Sequence, residues 1–326
     1  MPDLSVPNVE PKVSVLMITY NHEKFIAQAI ESVLMQKTDF PFELVIGEDC
    51  STDRTGEIVR EYSRKYPEVI RAYVRERNLG MLENGRQVFF ASRGKYLAAL
   101  EGDDYWTSPR KLQVQADLLD AHPETAVCGH HTVRHYDDGS QPDKDVFGTP
   151  GGFYGIEHIL FRNILHTSSA MFRRVIEDIA PEWRRHLPMG DIPLFVELAQ
   201  HGNIYMFEET MGVYRVHAGG VWSRLSEVQQ DRNSVAMYHA LYGHVDPKFR
   251  PALDRGMFRA VYTLGLAQFT AGDLAETRRC LRECLRISGP LEFVPEKALL
   301  AFKGYGWWTL ALWRKVRRLG RRSQKT

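Results

Sequence analysis

Glu101, Asp103 and Asp104 put three carboxylates within four residues, after an apolar run and just before Tyr105-Trp106. Like charges held so close repel one another, and the cluster is costly unless a cation or hydrogen-bond donors offset it. Magnesium and manganese take oxygen ligands, and magnesium commonly uses one or two carboxylates together with substrate phosphates. The apolar neighbours Leu97–Leu100 and Tyr105-Trp106 suggest a partly buried setting, which favours a divalent metal site over a solvated acidic turn.

Two other clusters could do chemistry. The first is Glu48-Asp49-Cys50-Ser51-Thr52-Asp53-Arg54-Thr55. Helix capping accounts for Ser51, Thr52 and Asp53, whose side chains satisfy the free N–H groups of a helix start. Asp49 is not needed for that, and at a strand's carboxyl end it can accept hydrogen bonds from a nucleobase N–H or a ribose hydroxyl. The second cluster is Gly190-Asp191 with Tyr214-Arg215-Val216-His217. Taken singly, Asp191 reads as an N-cap and His217 as a surface imidazole. Taken with the acidic cluster, Asp191 can serve as a base and His217 as a metal or phosphate ligand.

These residues need a frame, and the first third of the chain supplies one. Val13–Thr19 is an apolar, partly β-branched run, as expected of a strand buried on both faces. A turn at Tyr20-Asn21-His22-Glu23 leads to a helix with Ile26, Ile30, Val33 and Leu34 on one face. Strands are predicted at Phe42–Gly47, Ile70–Val74 and Tyr96–Leu100. Helices are predicted at Thr52–Tyr66, with Ser51 or Thr52 as N-cap, at Leu82–Ala91, and at Pro109–Leu119. Strand–helix alternation with short loops implies a mostly parallel sheet flanked by helices, which binds ligands beyond the carboxyl ends of its strands. Every cluster above falls at such an end.

Further on, Val127–Tyr136 reads as a strand, Asp137–Gly152 as an exposed loop, Ile192–Gln200 as a helix and Asn203–Phe207 as a short strand. After about Ser226 the pattern is helical, and Tyr262–Pro290 resembles a single tetratricopeptide-style hairpin. One such unit is too little for a solenoid, so it reads as a helical cap. The division expected is residues 1–225 as the catalytic domain and 226–326 as a helical C-terminal region with a basic tail.

Composition excludes several classes. The 326 residues are 44% hydrophobic and 25% charged, an ordinary soluble composition with enough apolar mass for a large core. The formal net charge is +1, yet from Ala301 onward there is no acidic residue and eight basic ones. A balanced body with a basic end argues against a nucleic-acid binder. Cys50, Cys128, Cys280 and Cys284 form no C-x-x-C pair; Cys280 and Cys284, four apart, read as core positions on one helix face. Reduced thiols, the lack of a signal-like apolar run in Met1–Lys12 and the lack of a spanning helix lead us to expect a cytoplasmic protein.

The motifs resemble those of the family 2 inverting glycosyltransferases of the GT-A fold. Val15-Leu16-Met17-Ile18-Thr19-Tyr20-Asn21 is similar to that family's opening strand and Tyr-Asn turn. Glu48–Thr55 resembles its Asp-Asp-x-Ser-x-Asp-x-Thr element, with Glu48 in place of the first Asp. Arg77-Asn78-Leu79-Gly80 resembles its Arg-Asn-x-Gly loop, Glu101-Gly102-Asp103-Asp104 its metal motif, and Tyr214-Arg215-x-His217 a recurring tail. The likeness covers about residues 11–222.

The resemblance implies a hexosyltransferase using a nucleotide-diphosphate sugar, with UDP-sugars favoured, and Mn2+ or Mg2+. It implies nucleotide contacts from Thr19, Tyr20, Asn21, Glu23, Asp49 and Arg77, with Tyr20 stacked on the base, and from the Glu101-Gly102-Asp104 turn. Asp103 and His217 would hold the metal, Glu101 or Asp104 the ribose or a metal-bound water, and Asp191 would be the general base. The family usually shows an acidic pair there, and Gly190 replaces one member. The Gln-x-x-Arg-Trp signature of processive synthases is absent, so a single addition is expected. The acceptor hydroxyl would belong to a glycan, a lipid-linked species or a protein, in surface-polysaccharide or glycan assembly.

Trp308, Leu312, Val316 and Leu319 form one apolar helical stripe among arginines, a pattern suited to peripheral association with an anionic membrane surface. Two other readings compete. A sugar nucleotidyltransferase would be expected to carry a Gly-rich phosphate loop after the first strand, where Tyr20-Asn21 stands instead. A catalytically inert GT-A-like binding module has no need of Asp49, Asp103, Asp191 and His217 together.

Overall fold

The computed structural model describes residues 10–287. The basic stretch after Ala301, its apolar stripe, and Pro290 at the end of the expected hairpin lie outside the described residues. Those described fall into two compact units, one of residues 10–159 with 163–223 and the other of 160–162 with 224–287.

The first unit is a single mixed sheet. Its parallel half consists of β1 (Val13–Thr19), β2 (Phe42–Glu48), β3 (Ile70–Val74) and β4 (Tyr96–Glu101), hydrogen-bonded in the order β3-β2-β1-β4. In β1, Val13, Val15, Leu16 and Met17 are all buried, because helices cover both faces of a parallel sheet. The return helices are α1 (Ile26–Leu34), α2 (Thr55–Lys65) and α3 (Met81–Ala91). Ile26, Ala29, Ile30 and Val33 of α1 join Val13, Val15 and Met17 in the core, as the helical spacing predicts. Helix α2 starts at Thr55, later than the sequence pattern places it. Ser51 and Thr52 are engaged with Asn21 across a neighbouring loop, and Asp53 receives the Thr55 N–H.

Beyond β4 come β5 (Tyr105–Trp106), α4 (Lys111–Ala121), β6 (Thr125–Tyr136), β7 (Lys144–Asp145), β8 (Gly152–Tyr154), α5 (Ile156–Phe161), β9 (Met171–Arg173), α6 (Asp191–Ala199) and β10 (Asn203–Val216). Strand β9 runs antiparallel between β4 and β6, so β6 again points the same way as β4. The expected loop at 137–152 therefore contains a short edge strand and the start of another. Strand β10 is also nearly three times the expected length. Its exposed Glu208-Glu209 break the apolar alternation, but pairing with β6 resumes after register shifts between Phe207 and Gly212. Such a bulge carries a strand past residues that would otherwise end it, and it delivers Tyr214-Arg215 to the carboxyl edge of the sheet.

In the second unit, Ser226 caps α7 (Glu227–Leu241) by accepting the Gln229 N–H at 3.3 Å. Helices α8 (Arg250–Thr270) and α9 (Leu274–Arg286) form the expected hairpin. Gly272, at φ 82°, makes the turn, and Asp273 caps α9 through the Glu276 N–H at 2.9 Å. Cys280 and Cys284 are buried on one face of α9. Among the described residues, no helix is long and apolar enough to cross a membrane.

Candidate active site

The parallel registers bring the strand-end loops side by side. Thr19 lies opposite Glu48, and Ile18 opposite Glu101, so the turns after β1, β2 and β4 are neighbours. The first two loops are stitched together by side chain to backbone bonds. Asn21 Oδ1 accepts from Thr52 N at 2.8 Å, while Asn21 N donates to Ser51 Oγ at 2.9 Å. His22 N donates to Thr55 Oγ1 at 2.8 Å, Glu23 N to Asp53 Oδ2 and Arg54 N to Glu23 Oε2, each of these last two at 3.1 Å. Asn21 and Cys50 adopt left-handed backbone, φ 57° and 61°. That geometry costs a non-glycine residue energy and persists where surrounding contacts determine it.

Asp49 is buried directly after β2. Its two carboxylate oxygens accept the N–H groups of Leu79 (2.7 Å) and Gly80 (2.9 Å), and Asn78 Nδ2 donates to its carbonyl at 3.0 Å. The side chain proposed from sequence to meet a nucleotide thus also fastens the Arg77–Gly80 loop to the sheet. Glu48, equally buried, accepts the Ser51 N–H at 2.7 Å.

The acidic turn is pressed against the turn after β1. A Cβ on Gly102 would come within 2.5 Å of Thr19 Oγ1 and 2.6 Å of Thr19 Cβ, so only glycine fits without displacement. Asp103 Oδ2 stands 3.1 Å from His217 Nε2 and 3.6 Å from His22 Nε2. Arg215 supports the turn from below. Its guanidinium donates to the Asp103 carbonyl and to Gln28 Oε1, its backbone N–H donates to Asp104 Oδ1 at 3.0 Å, and it lies over the rings of Phe25 and Tyr105.

The three carboxylates of this turn have three different environments. Burial would raise Asp103, but the His217 hydrogen bond and the neighbouring imidazoles hold it below the usual carboxylate range. Asp104 is fully buried, tied to the backbone of Arg215, with its second oxygen unpaired and 4.0 Å from His166 Nδ1. Burial and the charges of Asp103 and Glu101 push its carboxyl well up, so it is a buried acid beneath the turn rather than an open ligand. Glu101, half-buried, is pushed up to about 8 by burial, by Asp103 and by Asp191. Asp191, on another element, is thus near enough for its charge to act on Glu101. Asp191 is the first residue of α6, it is half-buried, and burial raises its carboxyl above the ordinary range. Gly190 has only Leu82 Cδ2 close to where a Cβ would stand, at 2.8 Å.

Of the other residues singled out from sequence, Thr19 is buried against Gly102, Tyr20 is 43% exposed on the open side, and Asn21, Glu23 and Arg77 are exposed along the same rim. The sequence reading missed His22, which it treated as part of a turn. The signal was available only through strand adjacency, since His22 lies three residues past β1 and Asp103 two past the adjacent β4.

A divalent metal of the kind the resemblance implies fits the residues present. One ligand atom each from His22, Asp103 and His217 lies within 4.8 Å of the others, half-buried at the carboxyl edge of the sheet.

A profile of glycosyl transferase family 2 matches residues 14–179, just over half of the chain. Rv1520, an uncharacterized protein of Mycobacterium tuberculosis, is 40% identical over 217 residues, which make up 64% of this chain and 60% of that one. The chain thus matches less than two thirds of this relative's length. Among solved structures, TarS of S. aureus in complex with UDP-GlcNAc aligns with a TM-score of 0.63 at 17% identity, covering 95% of this chain and 92% of that chain. The mannosyltransferase PcManGT of Pyrobaculum calidifontis, in complex with GDP-Man and Mn2+, aligns with a TM-score of 0.57 at 19% identity, over 97% and 85%. At these identities the likeness is one of fold, and that fold is GT-A.

Proposed function

The chain belongs to glycosyl transferase family 2, and from that premise we propose that it moves one sugar, with inversion, from a metal-bound nucleotide diphosphate to an acceptor hydroxyl. The observation that carries this reading is Asp103 at the carboxyl edge of the sheet, its Oδ2 3.1 Å from His217 Nε2 and 3.6 Å from His22 Nε2. A Mn2+ or Mg2+ ion on Asp103 and His217 would, when bound, offset the negative charge that develops on the departing diphosphate. The stitched loops after β1 and β2 would hold the nucleoside, with Tyr20 against the base and Arg77 near the phosphates. Nucleotide sugars in TarS and PcManGT support such a donor, and we favour UDP.

The acceptor oxygen attacks the anomeric carbon as the bond from that carbon to the diphosphate breaks, and its proton passes to Asp191. One displacement inverts the anomeric centre and requires no covalent intermediate. A half-buried carboxylate whose pKa burial raises suits this role, because it accepts a proton more readily than an exposed aspartate. We assign catalysis to residues 1–225 and place the acceptor among surface polysaccharides, lipid-linked glycans or glycoproteins. The basic amphipathic end of the chain would hold the enzyme on the cytoplasmic face of an anionic membrane.

A thermal-shift comparison of UDP, GDP, dTDP and CMP, with and without Mn2+ or Mg2+, tests the reading. A ligand at about 100 times its dissociation constant adds roughly 2.7 kcal/mol to the folded state. We expect a metal-dependent shift for one nucleotide, lost in Asp103→Ala while the fold is kept. Folded protein that shifts with no nucleotide would sink the proposal.

A further inference from the structure

The reading above gives the metal two protein ligands, Asp103 and His217, and leaves His22 without a part. We propose that His22 is a third ligand, so that His22, Asp103 and His217 form a two-imidazole, one-carboxylate face that binds Mn2+ without nucleotide and selects it over Mg2+. The inference rests on the proposal that Asp103 holds a divalent ion.

The spacing supports it first. Nitrogen and oxygen ligands about 2.0–2.2 Å from one ion stand roughly 3.0–3.6 Å apart when adjacent, and somewhat more than 4 Å apart when opposite. The two imidazole nitrogens lie 3.1 and 3.6 Å from Asp103 Oδ2, and all three atoms fall within 4.8 Å of one another.

His22 is also aimed. Its Nδ1 lies 3.2 Å from the hydroxyl of Thr19, which is buried, and its backbone N–H is fixed on Thr55 Oγ1. With Nδ1–H donating to Thr19, the Nε2 lone pair faces Asp103, which is the arrangement that orients a metal-binding imidazole. Gly102, whose missing Cβ lets Thr19 and His22 approach, holds the acidic turn at this distance. Phe25 packs on the His217 ring at 4.6 Å and on His22 at 6.5 Å, which limits both rings to few orientations. The side chains of His22, Asp103 and His217 remain 16%, 18% and 9% exposed, so one side of the cluster is open to incoming phosphate oxygens.

The donor set carries the selectivity. Mg2+ favours oxygen ligands in octahedral geometry and usually relies on substrate phosphates, whereas imidazole raises affinity for transition metals. Two imidazoles and a carboxylate therefore favour Mn2+. Three protein ligands also let the ion precede the nucleotide rather than arrive with it.

The test uses the full chain and MnCl2 alone. Titration followed by the EPR signal of free Mn2+ reads affinity, and pulsed EPR reads the 14N nuclei bound to it. We expect Mn2+ binding without nucleotide, coupling to two nitrogens, and Mg2+ at least about a hundredfold weaker in competition. His22→Gln should weaken Mn2+ by about tenfold or more and leave one coupled nitrogen. A single nitrogen in the unaltered protein would overturn the role of His22 while leaving the Asp103–His217 reading intact, and needs no variant to fold. Coupling to two nitrogens that persists in His22→Gln would do the same. Absence of Mn2+ binding both with and without UDP would overturn the metal reading itself.

Discussion

The side of the site proposed for the nucleotide and the side proposed for the acceptor are built in opposite ways. On the proposed nucleotide side, the turns after β1 and β2 are adjacent and bonded to one another through Asn21, Ser51, Thr52 and Asp53, and Asp49 fastens the loop after β3 to them. On the proposed acceptor side, Asp191 begins a helix whose N-cap, Gly190, contributes no side-chain bond. The difference teaches where preorganisation is needed. A nucleotide is recognised by many fixed donors and acceptors, so its cradle must be held in place. The acceptor side needs one well-placed base, and elsewhere its shape is free to follow the substrate.

If that contrast holds, the largest single effect on chemistry should come from Asp191. Asp191→Asn should lower kcat on the order of 10²–10⁴-fold with nucleotide binding unchanged. Burial raises the Asp191 carboxyl, so the unaltered enzyme should lose kcat as pH falls through a value above the ordinary aspartate pKa of about 3.9. The Asn variant should lack that acidic limb. Near-native turnover in Asp191→Asn would move the base to another residue and dissolve the contrast.

A smaller effect compares one glycine from each side. Gly102→Ala drives a methyl group into Thr19 at 2.5 and 2.6 Å, within a network that cannot yield, and should destabilise by about 1–3 kcal/mol while weakening nucleotide binding. Gly190→Ala meets only the end of the Leu82 side chain, at 2.8 Å, which can rotate away, so its cost should stay below about 1 kcal/mol. Urea unfolding of the two variants reads the difference directly. Equal losses would show the acceptor side to be as tightly packed as the nucleotide side.

The same contrast governs how much was legible in the residues. Strands β1 and β3 fall where the apolar runs place them, and β2 and β4 extend one residue further, because a parallel sheet covered on both faces needs continuous apolar strands. In the later half of the sheet, Glu208-Glu209 mask the continuation of β10, since period-based reading cannot see pairing that resumes past a bulge. Within the site, Asp103 and His217 were nominated from types and order, and the fold brings them to 3.1 Å. The burial of Asp104 and the loop-fastening bonds of Asp49 were not visible, because they depend on which backbone N–H groups lie opposite. His22 was missed for a similar reason: its partner is 81 positions away in sequence and adjacent only through the pairing of β1 with β4.

A change of comparable size tests the far end of the parallel half of the sheet, where rigidity depends on charge. Glu43 at the start of β2 is buried, accepts from Ser14 Oγ at 2.7 Å, and pairs with Arg93 at 2.8 Å and Arg71 at 3.2 Å. Burial alone would raise its pKa, but the Ser14 and Arg93 hydrogen bonds outweigh burial and lower it below 4.5. A carboxyl depressed on folding adds stability that is fully present above its unfolded pKa and is lost as pH falls through the folded one. Glu43→Gln should therefore be less stable than the unaltered protein by about 2 kcal/mol at neutral pH, the size of a hydrogen bond to a charged group. That gap should begin to close below about pH 4.5 and continue to close as the pH drops further, if the protein is still folded there. A gap that stays constant from pH 7 to pH 3.5 would mean that Glu43 acts by packing and not by charge. The rigidity of the nucleotide side would then rest on its loops alone.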